Sequence, residues 1–166
     1  MKTIIILLTT FLASTFNINE NNVDNYQDCK ADLSVEKNRS FKSADEEGTQ
    51  FTLYLENTSS KTATYVLSTK NLVEPCDNLK GRANTGANVN LNVSIQNSNG
   101  VISSSKGNNE VTLRSGETHK FVVNITVPEG TRYNTWSCIE VSATSKSCTN
   151  SESTILSVFV PDPSEG

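Results

Sequence analysis

The sequence predicts an all-β protein, an antiparallel β-sandwich of seven to nine strands. Apolar residues recur at every second position in several separate stretches. The plainest is Phe121, Val123, Ile125 and Val127, set against Lys120, Val122, Asn124 and Thr126. Turn signals interrupt these stretches at close intervals, and none carries the 3.6-residue period of an amphipathic helix of normal length. Side chains on a strand point alternately to opposite faces, so each stretch presents one apolar and one mostly polar face. That suits a sheet with one face on a core and the other in water.

The chain opens with Lys2 and a short apolar run to Ala13. This fits a secretory signal peptide over 1–16, and the protein is expected to be secreted or extracytoplasmic, in a periplasm or at a cell surface. A buried N-terminal strand is the rival reading. The run is about 10 residues, against the roughly 20 that a membrane-spanning helix needs. Residues 17–28 are polar without a period and are expected to form a flexible lead-in. The sandwich is then expected over 29–160, with a polar tail at 161–166. One domain of this size is ordinary.

Within the sandwich, Cys29, Ala31, Leu33 and Val35 alternate with polar residues and predict the first strand. Residues 38–48 read as a connection ending in the acidic loop Asp45-Glu46-Glu47-Gly48. Phe51, Leu53 and Leu55 predict the second strand, closed by the turn cluster Asn57 to Ser60. The third runs from about Thr62 to Thr69, with Ala63, Tyr65 and Leu67 inward. Residues 70–87 show no period, and an irregular loop of that length is often functional. A cover segment or a short helix near Asp77 to Lys80 would account for it equally well. Val89, Leu91, Val93 and Ile95 alternate strictly and predict a strand, followed by a hairpin turn at Asn97 to Gly100 and a short return at Val101–Ile102. Val111 and Leu113 lead through the Ser115-Gly116 turn into the 119–127 strand. Pro128-Glu129-Gly130 ends that strand, because proline cannot donate to a ladder. Ile139, Val141 and Ala143, then Leu156, Val158 and Val160, predict the last two.

Functional chemistry is sparse. The single histidine, His119, stands at the start of a strand after a turn, where a lone His is far more often a surface residue than a catalytic base, and no nucleophile-elbow, zinc-helix or phosphate-loop motif occurs. Glu140 is the only acid inside the well-defined central strands. No enzymatic activity, cofactor or metal is expected. A pocket pairing two carboxylates would support the alternative, a small carboxylate-based hydrolase. Net charge is −4, which argues against nucleic acid as a partner. Sequons at Asn38, Asn57, Asn92 and Asn124 are no more than this Asn-, Ser- and Thr-rich composition supplies. Tyr133 and Trp136, with Arg82 in the long loop, form the candidate binding surface, for another protein or a surface glycan. A carbohydrate-binding module is the glycan version of that expectation. Trp136 has a plainer role available, packing over a disulfide or a sheet edge.

The block Leu113 to Thr131, the segment Cys138 to Thr144 and the stretch Phe51 to Ser60 together resemble an immunoglobulin-like module. They are similar to secreted sandwiches of the CARDB type, a cell-adhesion-related bacterial family. The shared features are an apolar alternation ending in Asn and a turn (Phe51 to Asn57), a Leu-x-x-Gly turn (Leu113 to Gly116) and a proline-glycine break. The resemblance covers roughly 31–160 and implies a spacer, adhesion module or accessory domain without catalytic residues. The 70–87 segment and the cysteines depart from it.

Cys29, Cys76, Cys138 and Cys148 include no CxxC pair and read as two disulfides. An immunoglobulin-like topology implies Cys29–Cys148 and Cys76–Cys138. The start of the first strand would lie beside the last hairpin, and the end of the third strand beside the start of the penultimate one. The local bridge Cys138–Cys148 is the rival.

Overall fold

The computed structural model describes residues 29–76, 87–97, 100–102 and 109–165. The expected signal peptide and lead-in lie outside the described residues. Among the described residues ten strands occur: β1 (Ala31–Val35), β2 (Phe41–Ser43), β3 (Thr49–Asn57), β4 (Ala63–Leu72), β5 (Asn92–Asn97), β6 (Gly100–Ile102), β7 (Glu110–Leu113), β8 (Thr118–Thr126), β9 (Thr135–Ser145) and β10 (Ser151–Val160). The return strand expected at Val101–Ile102 is β6, and the three-residue strand β2, which the sequence reads as part of a connection, is the one added to the expected set. Among the described residues the only helical elements are two three-residue 3-10 turns, Glu36–Asn38 and Pro163–Glu165. No helix among them is long and apolar enough to cross a membrane.

The strands form two five-stranded sheets, ordered β1-β3-β8-β5-β6 and β2-β10-β9-β4-β7. All pairings are antiparallel except β2 with β10. Between the sheets lie the residues that the period-two pattern selects. Phe51, Leu53, Leu55, Phe121, Val123 and Ile125 come from one sheet, and Tyr65, Leu67, Ile139, Val141, Leu156 and Val158 from the other. Each is almost wholly removed from water. Burial of such side chains contributes about 1.5–3 kcal/mol apiece, which is what holds the layers together.

Three expected elements need correction. The connection 38–48 contains β2. Lys37 and Asn38 both adopt φ 55°, and Arg39 N–H donates to the Glu36 carbonyl at 3.1 Å. This tight turn carries the chain out of the first sheet (β1 on β3) and into the second (β2 on β10). A three-residue strand is too short to show a period. The strand expected over 89–95 begins only at Asn92. Val89 N–H donates to the Trp136 carbonyl at 2.8 Å, and the Asn71 side-chain amide grips Leu91, donating to its carbonyl at 3.0 Å and accepting its N–H at 3.2 Å. Residues 87–91 therefore lie along the second sheet, and the chain crosses to the first at Asn92. Third, β4 runs three residues past its expected end, to Leu72, because Lys70, Asn71 and Leu72 continue the ladder opposite Glu140, Ile139 and Cys138.

Two disulfides brace the sandwich. Cys29 is bridged to Cys148, with Cα atoms 6.3 Å apart and a sequence separation of 119. Cys76 is bridged to Cys138 at 5.4 Å and a separation of 62. The β4–β9 register pairs Leu72 with Cys138, so Cys76, four residues on, sits beside it. Disulfides of this kind belong to oxidising compartments.

Candidate binding groove

Three segments that are distant in sequence meet at one end of the sandwich. The first is the turn between β2 and β3. Gly48 N–H donates to the Asp45 carbonyl at 3.0 Å, and the Asp45 carboxylate accepts the Glu47 N–H at 3.0 Å. Gly48 closes the turn at φ 86°, with no room for a Cβ against the Ile125 carbonyl. The second is the turn after β8. Thr131 donates its N–H at 3.1 Å and its hydroxyl at 2.6 Å to the Pro128 carbonyl, with Gly130 at φ 78°. Glycine at the third position of a four-residue turn is what a positive φ there favours. The third segment is the exit from β10, Val160 to Pro163. It is tied to the second by the Asn134 N–H, which donates to the Val160 carbonyl at 2.7 Å.

Between these segments lies an open cavity of about 610 Å3. Its apolar lining comes from Val127, Pro128, Val160 and Pro161, and Tyr133 stands at its wall. Tyr133 is 45% exposed, one of two large hydrophobic side chains among the described residues left open to solvent. The carboxylates of Asp45, Glu46, Glu47 and Glu129 also line it, and all four residues are exposed. Among the described residues, no Lys, Arg or His lines the cavity. The tail expected at 161–166 is part of this wall through Pro161 and Pro163. Just beyond the lining, Asp162 accepts the Ser164 hydroxyl at 2.7 Å and its N–H at 2.9 Å. These two bonds hold the Asp162 carboxyl below its ordinary range. Among the described residues, no three His, Cys, Asp or Glu side chains converge as a metal would require.

The residues marked in the sequence do not form one surface. Tyr133 lines the groove. Trp136 stands instead on the outer face of the second sheet, its ring 5.3 Å from Phe41 and 5.1 Å from Phe159. It is half-buried on the same face as Cys138, two residues on along β9. Arg82 lies outside the described residues. Asp45, Glu46, Glu47 and Glu129 were not singled out by sequence, where the acidic trio reads as a solvated loop. Their only signal is that each occupies a turn flanking a strand. That both turns fall at the same end becomes visible only with the β3–β8 register, which sets Thr49 opposite Ile125.

No protein-family model matches the chain, and no curated protein matches it in sequence. Among solved structures it is similar in fold to a family 123 glycoside hydrolase from Clostridium perfringens. The TM-score there is 0.51 at 11% identity, over 80% of this chain and 28% of that one. A FixG-related protein from Vibrio parahaemolyticus has a TM-score of 0.44 at 16% identity, covering 81% of this chain and 96% of the other. The E. coli chaperone DraB has 0.43 at 11% identity, covering 81% and 56%. Likeness at this identity concerns the fold alone, and function has to be argued from the site. The chain is an immunoglobulin-like β-sandwich braced by two disulfides.

Proposed function

We propose that the chain is a secreted, non-catalytic binding module that holds its partner in the groove at the β2–β3, β8–β9 and β10 end. The observation that carries this reading is the cavity of about 610 Å3, apolar in its lining and edged by the exposed Tyr133. Ligand sites are commonly concave, mostly apolar and about 300–1,000 Å3 in volume. The turns around it are fixed by backbone hydrogen bonds, so little conformational freedom is left to lose on binding. The signal-peptide pattern at 1–16 and the two disulfides support export. An adhesion or accessory role of the CARDB type is compatible with such a module.

The test is capture from extracellular-protein and glycan arrays by the disulfide-intact chain. Tyr133→Ala and Val127→Asp should each abolish the capture seen with wild type. Binding unchanged in both variants would remove the groove from consideration.

One observation favours a second reading, a carboxylate hydrolase. Glu47 and Glu129, on two different turns, line one cavity. Both are exposed, and the burial that sets one carboxyl apart as a general acid is missing. Turnover of aryl glycosides, lost on Glu47→Gln or Glu129→Gln, would favour the hydrolase over the binding module.

A further inference from the structure

We infer that the groove selects a Lys- or Arg-bearing segment of a partner protein, with apolar residues flanking the cation. This rests on the reading of the groove as a binding surface and adds the chemistry of its occupant. Three features converge. Carboxylates stand on two separate turns, Asp45, Glu46 and Glu47 on one and Glu129 on the other. Among the described residues none of the four forms an ion pair, the pair recorded there being Lys146 with Glu110 at 2.8 Å. With no cation among the described lining residues, the groove repels sulfated, phosphorylated or carboxylated ligands and attracts positive ones.

The second feature is the apolar lining at Val127 and Val160, which a small hydrated cation leaves uncovered. A peptide can place its charged heads on the carboxylate rim and its methylene stems and apolar neighbours on that surface. The third is Tyr133. Its exposed ring offers a π face to an ammonium or guanidinium group, and cations sit favourably within about 6 Å of such a face. A neutral glycan would use the ring but not the four charges. The acids also do not converge in threes on one point, which sets the groove apart from a metal cage.

The experiment follows backbone amide shifts of the 15N-labelled, disulfide-intact chain on titration with three amidated heptapeptides. These alternate Leu with Lys, Leu with Gln, or Leu with Glu, and spermine serves as a fourth probe. The expected result is that the Lys peptide alone moves the amide resonances of 45–47, 129–133, Val160 and Asp162. The triple variant Glu46→Gln/Glu47→Gln/Glu129→Gln, which removes exposed charges only, should weaken that binding about tenfold, from three surface ion pairs. Raising the salt to 0.5 M should weaken it similarly. Equal shifts from the Gln peptide would overturn the charge selection while leaving the groove a binding site. Equal shifts from spermine would replace the protein segment with a free polyamine. If no probe moves these resonances, and the arrays show capture that Tyr133→Ala and Val127→Asp leave intact, the groove itself is overturned as the site.

Discussion

Asn57 is fully buried, yet every polar atom of its side chain has a partner. Its amide donates to the carbonyls of Lys61 at 2.8 Å and Leu113 at 2.9 Å. Its oxygen accepts from the Ser59 N–H at 3.1 Å and the Tyr65 hydroxyl at 2.9 Å. Its backbone pairs with Gly116 and Glu117, so one residue joins the end of β3, the start of β4 and the β7–β8 turn. Asn57→Ala would strand several buried groups, and a loss of about 2–4 kcal/mol is expected by chemical denaturation. A loss below about 1 kcal/mol, within the range of ordinary surface substitutions, would refute the role. The same burial closes the Asn57 sequon in the folded protein. His119 acts through its charge. Desolvation lowers its pKa, opposed in part by Glu117, and its ring stacks near Phe121 at 6.3 Å. The folded state thus favours the neutral form. The stability this contributes is complete above the unfolded value of about 6.5 and is lost as pH falls through the lower folded value. His119→Gln should flatten that part of the stability–pH curve. An identical curve for wild type and variant would contradict it.

At the scale of elements, the turns carry the most specific demands. Gly48→Ala forces a Cβ toward the Ile125 carbonyl at a positive φ, and a cost of about 2 kcal/mol or more is expected from strain and overlap together. At Gly116 and Gly130 a Cβ meets nothing within 4 Å. Their alanine variants should cost only about 1 kcal/mol, from conformation alone. Equal losses at the three positions, measured by denaturation, would show that the Ile125 contact is immaterial. The short strand β2 carries a different device. Lys42 lies opposite Val158, whose side chain is in the core, and its ammonium sits 5.1 Å over the Phe51 ring. An inward-pointing lysine on an edge strand discourages pairing with another chain. These details explain what was legible in the sequence. Period two reports which side chains are buried, so Leu53, Phe121 and Val158 could be placed in the core from their spacing. It does not report which sheet a segment joins, so the alternation runs on through Val89 and Leu91 although the ladder begins at Asn92. The groove was less legible still. Tyr133 stands out in the sequence by its ring, but Glu47 and Val160, which line the same groove, come from turns and strand ends that only the three-dimensional register brings together.

For the whole molecule, the two sheets serve as a rigid block, and the chemistry is placed on one end of it. The disulfides contribute by restricting the unfolded chain. For bridges 62 and 119 residues apart, loop closure contributes at most about 4–5 kcal/mol each. A Cys76→Ser/Cys138→Ser variant should therefore unfold at markedly lower denaturant while keeping its β-sheet circular dichroism. The central claim is that the alternating residues of β3, β8, β9 and β10 meet in one dry layer between two sheets. Amide hydrogen exchange of the disulfide-intact chain tests this most directly. Amides of 51–55, 121–125, 139–143 and 156–160 are predicted to exchange only through global unfolding, while those of 45–47, 129–133, Asp162 and Ser164 exchange far faster. If the amides of 51–55 and 121–125 exchange as fast as those of the turns, the two-sheet core is contradicted.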